Sequence, residues 1–217
     1  MTICALEKFK QKSKTIGGKM KALLTLAILA IGLSAQAQIR LGVPAYGGTG
    51  CPSGSASVSL TDDQQILSVL FDSFVAEAPT MTGANFDRKA CNLRIPVSVG
   101  PGYQVALIAF DYRGFAAIPS GGRGQFEARY AYVGQKRPAI FRKSFQSGRA
   151  DNYSLKNELI STTIDWSPCS TGRDLMMTVD ANILAVTNSA MQATNVSIDS
   201  VDISAGLLYQ IQLRRCM

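Results

Sequence analysis

The chain has 217 residues, a formal charge of +7, five cysteines and no histidine. The missing imidazole removes Ser-His-Asp and Cys-His catalysis, histidine-held zinc and the usual general base near neutral pH. Six of the 22 basic residues and one of the 15 acids fall within residues 1–37. The remainder is then only about +2, too little to argue for nucleic-acid binding.

Met20-Lys21 opens an apolar run from Ala22 to Leu33 that ends in Ser34-Ala35-Gln36-Ala37. A positive start, a short apolar core and an A-x-A site describe a secretory signal peptide. Residues 1–37 are read as a basic extension and leader, with translation starting at Met20 and cleavage after Ala37. Residues 38–217 are read as the exported domain. The apolar run is short for a bilayer span, and no later segment is apolar for long enough. The expectation is an exported chain, periplasmic or extracellular, with no stable membrane insertion once the leader is removed.

From Gln38 to Ser55 the chain is glycine-rich and reads as an extended arm pinned by Cys51. Ala56–Leu60 and Gln65–Phe71 alternate about the turn at Thr61-Asp62-Asp63-Gln64 and predict a hairpin. Ala76 to Ala90 reads as a longer loop. In Leu93 to Val99 every second residue is apolar, the period of a half-buried strand. Pro96 cannot donate to a ladder, so it predicts an edge strand or a bulge. Gly100-Pro101-Gly102 then predicts the turn of a central hairpin, returning through Tyr103 to Tyr112. The run Val105 to Phe110 is continuously apolar, as in a strand covered on both faces.

Arg113-Gly114 reads as an interruption, after which Phe115–Ile118 resumes. Gln125 to Val133 puts Phe126, Ala128, Tyr130 and Tyr132 on one face and Glu127, Arg129 and Ala131 on the other. Residues 134–157 read as the least regular stretch. Strands follow at Leu159–Ile164, Asp174 to Val186, Asn195–Ile203 and Leu207–Arg214. Many short strands divided by Gly, Pro, Asn and Asp turns predict an all-β fold: a single antiparallel β-sandwich, jelly-roll-like, with two disulfides. Cys51, Cys91, Cys169 and Cys216 of an exported chain form two bridges in one of three connectivities. The pairing favoured is Cys51 with Cys91 and Cys169 with Cys216, tying each end of the domain to a nearer strand. A zinc site lacks both C-x-x-C spacing and histidine, and no metal or cofactor is expected.

Several short motifs together resemble an exported family, domain of unknown function 4360. They are Gly50-Cys51-Pro52-x-Gly54-Ser55, Cys91-Asn92-Leu93, a loose match at Pro101-Gly102, Tyr112-Arg113-Gly114-Phe115, Trp166-Ser167-Pro168-Cys169 and the terminal cysteine. The resemblance covers about Gly50 to Cys216. It implies a small, cysteine-stabilised, all-β exported domain and brings no catalytic residue with it.

Residues 136–156 are the most suggestive local feature for binding. Lys136, Arg137, Arg142, Lys143, Arg149 and Lys156 stand against one acid, Asp151, with Phe141, Phe145 and Tyr153 among them. Cations interleaved with aromatics suit an anionic polymer or envelope glycan. The competing reading is a solvated stretch whose aromatics pack beneath it. Tyr103, Tyr112, Tyr130, Tyr132, Trp166 and Tyr209 read more readily as core than as a sugar-stacking face. Asp72, Glu77, Asp111 and Glu127 are candidates for a glycosidase pair, which needs two carboxylates about 5–9.5 Å apart. Asp62-Asp63 and Asp199-x-x-Asp202 are weak calcium candidates. The function expected is a non-enzymatic exported β-sandwich binding an envelope or extracellular glycan or anionic polymer. The alternatives are a secreted hydrolase with paired carboxylates and an interaction or inhibitor module acting through an edge strand.

Overall fold

The computed structural model describes residues 38–135, 138–158, 164–198 and 207–217. The predicted leader, residues 159–163 of the strand predicted at Leu159–Ile164, Lys136, Arg137, Asp199 and Asp202 lie outside the described residues, and Ile164 is not in a strand. So do the side chains of residues 157, 158, 207 and 208.

The described chain is all strand. In order these are β1 (Arg40–Leu41), β2 (Ala45–Gly47), β3 (Ala56–Leu60), β4 (Ile66–Phe71), β5 (Phe74–Ala78), β6 (Phe86–Ser98), β7 (Tyr103–Ile118), β8 (Arg123–Tyr132), β9 (Ala139–Phe145), β10 (Arg149–Glu158), β11 (Leu175–Val186), β12 (Thr194–Ile198) and β13 (Leu207–Arg215). They form two antiparallel sheets. A six-stranded sheet runs β1-β6-β11-β8-β9, with β2 also on β6. A seven-stranded sheet holds β3, β4, β13, β7, β12, β5 and β10.

The predicted central hairpin is not formed. β6 pairs with β11, and β7 pairs with β13, β12 and β10. The Gly100-Pro101-Gly102 turn therefore carries the chain from one sheet to the other. Gly102 has φ +77°, its N–H donates to Ser170 O at 2.9 Å, and its carbonyl accepts from Cys216 N at 2.8 Å. Those bonds fasten the turn to the loop around Cys169 and to the end of β13, leaving β6 and β7 on opposite layers.

Pro96 does not lie in an edge strand; the bulge beside it belongs to the partner, where residues 42–44 stand opposite only Ile95 and Pro96. β6 is flanked by β11 on one side and by β1 and β2 on the other. Those two short strands are separated by residues 42–44, and that gap falls opposite Pro96. Gly42 N donates to Pro96 O at 2.8 Å, and a Cβ on Gly42 would stand 2.8 Å from Pro96 Cβ. The proline's missing donor thus coincides with a break in its partner.

The apolar run in β7 has a different cause from the one expected. The ladder with β13 shifts register at Gln210/Ile211, pairing Ala109 and Leu107 with consecutive residues and leaving Ile108 extra. A bulge moves the inward parity from Val105 and Leu107 to Phe110, Tyr112 and Ala116. Nor does Arg113-Gly114 interrupt, since β7 continues to Ile118. The loop expected at Ala76 to Ala90 is confined to residues 79–85, and the stretch read as irregular contains β9 and β10.

The core lies between the sheets. Phe71, Phe74, Leu67 and Tyr209 meet Leu93, Ile95, Phe126, Met177 and Ile183 there. Cys51–Cys91 is wholly buried, with Cα atoms 5.3 Å apart. Cys169–Cys216, with Cα atoms 5.9 Å apart, ties the 164–174 loop to the end of β13 near the surface. Both pairings are those favoured from the sequence.

Candidate functional site

Strand alternation gives the six-stranded sheet an apolar inner face and a polar outer one. Cross-strand register arranges the outer positions of β6, β11, β8 and β9 in rows. One row reads Arg88, Leu184, Gln125, Ser144; the next reads Ala90, Asn182, Glu127, Arg142; the third reads Asn92, Asp180, Arg129, Ile140. A groove of about 380 Å³ opens on this face. Asn182 and Leu184 of the middle strand β11 form its floor. Phe86 and Arg88 of β6 stand on one side, and Gln125, Glu127 and Arg129 of β8 on the other. Phe86 is 55% exposed, a large aromatic left in solvent at the start of its strand.

Arginines dominate this face. The outward positions of these four strands carry Arg88, Arg94, Arg123, Arg129 and Arg142 against two carboxylates, Glu127 and Asp180. Arg88 Nη2 donates to Asn182 Oδ1 at 3.2 Å. Arg94 Nη1 lies 3.2 Å from Asp180 Oδ1. Glu127 anchors two guanidiniums at once: Arg129 Nε donates to Oε1 at 2.6 Å, and Arg142 Nε donates to Oε2. Both arginines are bound through Nε, so their terminal Nη1 and Nη2 groups stay available to a ligand. The Arg142 hydrogen bond, helped by Arg129, holds the Glu127 carboxyl below the ordinary glutamate range despite some desolvation.

The 136–156 stretch is divided between the two sheets. β9 is the outer strand of one, β10 pairs with β7 in the other, and the turn between them crosses layers. Phe141 is half-buried, its ring 5.1 Å from Phe110 and 5.2 Å from Tyr112. Phe145 and Tyr153 face one another at 4.7 Å, closing the sandwich along this side. Among the described residues of the candidate set, Arg142 alone reaches the outer arginine face. Lys143 and Arg149 are exposed along the β9–β10 side. Tyr112, Tyr130, Tyr132 and Tyr209 are buried. Trp166 carries the Arg214 guanidinium 4.0 Å above its ring, and Tyr103 lies under Arg215 at 5.9 Å.

The candidate carboxylates are spread out. Asp111 faces outward from the seven-stranded sheet and is held by Arg113 at 2.8 Å, whereas Glu127 faces outward from the other. Glu77 accepts from Asn195 at 2.9 Å. Through Asn195 it stands level with Ala117, six residues along β7 from Asp111 and so about 20 Å away. Asp72 lies in the turn between β4 and β5. Asp63 caps its own turn, accepting from Thr61 Oγ1 at 2.5 Å and Gln65 N at 3.1 Å. Among the described residues no group of three or more acids or cysteines is placed to hold a metal ion. Nor is any helix among them long and apolar enough to cross a membrane.

Phe86 and Arg88 were not legible as site residues. They fall within the stretch that reads as a loop, and only the register sets them across β11 from β8. The outward placing of Glu127 and Arg129 was legible from the alternation of β8.

The family model described as "Domain of unknown function (DUF4360)" matches residues 37–216. A protein of Arthroderma benhamiae described as "Uncharacterized secreted protein" is 30% identical over 171 residues, covering 79% of this chain and 69% of that one. Among solved structures, TmCBM61 in complex with β-1,4-galactotriose aligns with TM-score 0.27 and 9% identity, covering 79% of this chain and 88% of that one. The family 11 carbohydrate-binding module from Clostridium thermocellum, in complex with a β-1,3-1,4-mixed-linked tetrasaccharide, aligns with TM-score 0.19 and 6% identity, covering 83% and 91%. Scores this low carry no argument about this chain.

Proposed function

The chain belongs to the DUF4360 family, and we propose that it works as an exported glycan-binding module whose binding surface is the outer face of the six-stranded sheet. The observation that carries this reading is the exposed Phe86 ring beside a groove lined with fixed hydrogen-bonding side chains. A pyranose offers an apolar C–H face and a rim of hydroxyls that both donate and accept. Such a ligand needs a flat apolar platform flanked by a few oriented polar groups. Phe86 and Leu184 supply the platform. Gln125, Asn182, Arg88 and Arg129 supply donors and acceptors; a cross-strand bond to Asn182 holds Arg88, and a bond to Glu127 on its own strand holds Arg129, before a ligand arrives. Arg142 extends the surface on β9, with Lys143 and Arg149 adding positive charge along the neighbouring side.

Export is supported by the two disulfides, which persist in oxidising compartments, and by the relative described as secreted. The working site is then the periplasm or the cell exterior, with the leader cut after Ala37. N-terminal sequencing of the released protein checks this directly: a mature chain beginning at Gln38 is expected.

Affinity electrophoresis of the oxidised protein through a panel of neutral and acidic polysaccharides tests the binding reading. Retardation by at least one is expected, with Phe86→Ala weakening it tenfold or more at unchanged melting temperature. Failure to bind any member of the panel, or a Phe86→Ala protein that binds like the parent, would overturn it.

A further inference from the structure

Resting on the glycan-binding reading, the geometry points to a carboxylated sugar polymer as the ligand class, with Arg129 as the residue that receives the carboxylate and Glu127 as the residue that positions it. Arg129 lines the groove. Its Nε is taken up by Glu127 Oε1 at 2.6 Å, and this fixes the plane of the guanidinium. The forked end, Nη1 and Nη2, is the edge that pairs with a carboxylate through two parallel hydrogen bonds. Arg142 hangs from the other oxygen of the same Glu127, so one carboxylate sets two forks. Across the groove Arg88 spends Nη2 on Asn182 Oδ1 at 3.2 Å and supplies a third positive group.

The charge balance selects an anion. Five arginines face outward on β6, β8 and β9, against Glu127 and Asp180 on β8 and β11. Each acid is already paired with an arginine. The outward cations on these strands are all arginine. That suits planar two-point recognition of an oxyanion better than a diffuse attraction for any polyanion, which lysine serves as well. Phe86 is level with Arg123, six residues along β8 from Arg129 and so about 20 Å away; one ring of a polymer stacks on Phe86 while the carboxylate of another ring farther along the groove meets the Arg129 guanidinium.

The test uses the full oxidised chain with polygalacturonate, alginate and hyaluronan, a carboxyl-reduced form of whichever binds, and dextran sulfate as a charge control. Calorimetry in 0.15 M salt is expected to show binding to at least one uronate polymer. Reduction of its carboxyls should weaken binding tenfold or more. Arg129→Lys should do the same, since the charge stays and the fork is lost, with the melting temperature confirming that the variant folds. Equal binding of the carboxyl-reduced polymer overturns the carboxylate assignment and leaves glycan binding standing. Dextran sulfate binding as tightly as the uronates, or Arg129→Lys binding like the parent, overturns it in favour of unselective charge. Binding to no uronate overturns it as well, and the neutral panel then decides the broader reading separately.

Discussion

Tyr153 lies across Gly114. The two are register partners on β10 and β7, and the Tyr153 hydroxyl reaches over the glycine to donate to Ser197 O on β12 at 2.6 Å. A Cβ on Gly114 would stand 2.1 Å from the Ser197 carbonyl oxygen, 2.5 Å from the tyrosine oxygen and 2.7 Å from Cζ. The glycine in Tyr112-Arg113-Gly114-Phe115 is thus a gap in a continuous strand, filled by a ring from its neighbour. In a strand interior, alanine for glycine ordinarily gains about 0.5–1 kcal/mol. Here the collision outweighs that gain, since overpacking costs about 1–3 kcal/mol. Gly114→Ala is expected to lower stability in chemical denaturation. Gly114→Ala in a Tyr153→Ala background should stay destabilising, because the Ser197 carbonyl meets the new Cβ whether or not the ring is present; an alanine at 114 that costs nothing in that background would show that the ring alone excludes it.

The two disulfides differ in access and not in loop length. They close loops with separations of 40 and 47 residues, each worth about 4 kcal/mol in the chain-entropy model. Cys51 and Cys91 are buried in the core, whereas Cys169 is exposed. Mild reduction of the native protein followed by alkylation and peptide mapping should label Cys169 and Cys216 first. Cys51 and Cys91 should react only as the protein unfolds. Simultaneous labelling of all four would contradict the difference in access.

Four tyrosines give the alkaline side of the stability curve a definite sign. Burial raises Tyr130 to about 12 and lifts Tyr112, Tyr132 and Tyr209 well above the ordinary phenol value. A phenol whose pKa is raised by folding stabilises the fold fully below its unfolded value of about 10. That contribution disappears as pH rises through the folded value. Absorbance titration should therefore show these four ionising late, together with the loss of near-UV circular dichroism. Tyr112 and Tyr209 hydroxyls are buried without a hydrogen-bond partner of good geometry. Tyr209→Phe is accordingly expected to be neutral or stabilising by up to about 1 kcal/mol, as read from denaturant midpoints.

Glu127 supplies the acid side. Its pKa is lowered in the folded protein by Arg142 and Arg129, so its contribution is present above the ordinary glutamate value of about 4.3 and is lost as pH falls through the lower folded value. The arginine side chains are 47% and 65% exposed, which keeps the stability effect of Glu127→Gln within about 1 kcal/mol. The effect on ligand binding should be larger, because both guanidiniums lose their orientation. A variant that melts nearly like the parent and binds acidic polymers several-fold more weakly is the expected result. Unchanged binding would deny Glu127 a positioning role.

Read alone, the chain determines its fold class and its cysteine chemistry. The period of two in β6, β8, β11 and β13 is a local property, because side chains alternate about a single backbone whatever lies next to it. The polar side of β8, with Glu127 and Arg129, follows from the same rule. Strand partnership is not local. A Gly-Pro-Gly turn serves a hairpin and a sheet-to-sheet crossing equally well, and only the bonds from Gly102 to Ser170 and Cys216 select the crossing. The bulge at Ile108 reverses parity within one strand, so an apolar run that looked covered on both faces is two half-covered runs in series. Phe141, Phe145 and Tyr153 read as a basic-aromatic patch until the core claimed their rings. The groove was hidden for the same reason: Phe86, Asn182 and Glu127 belong to strands far apart in sequence, and the register of three neighbouring backbones sets them side by side.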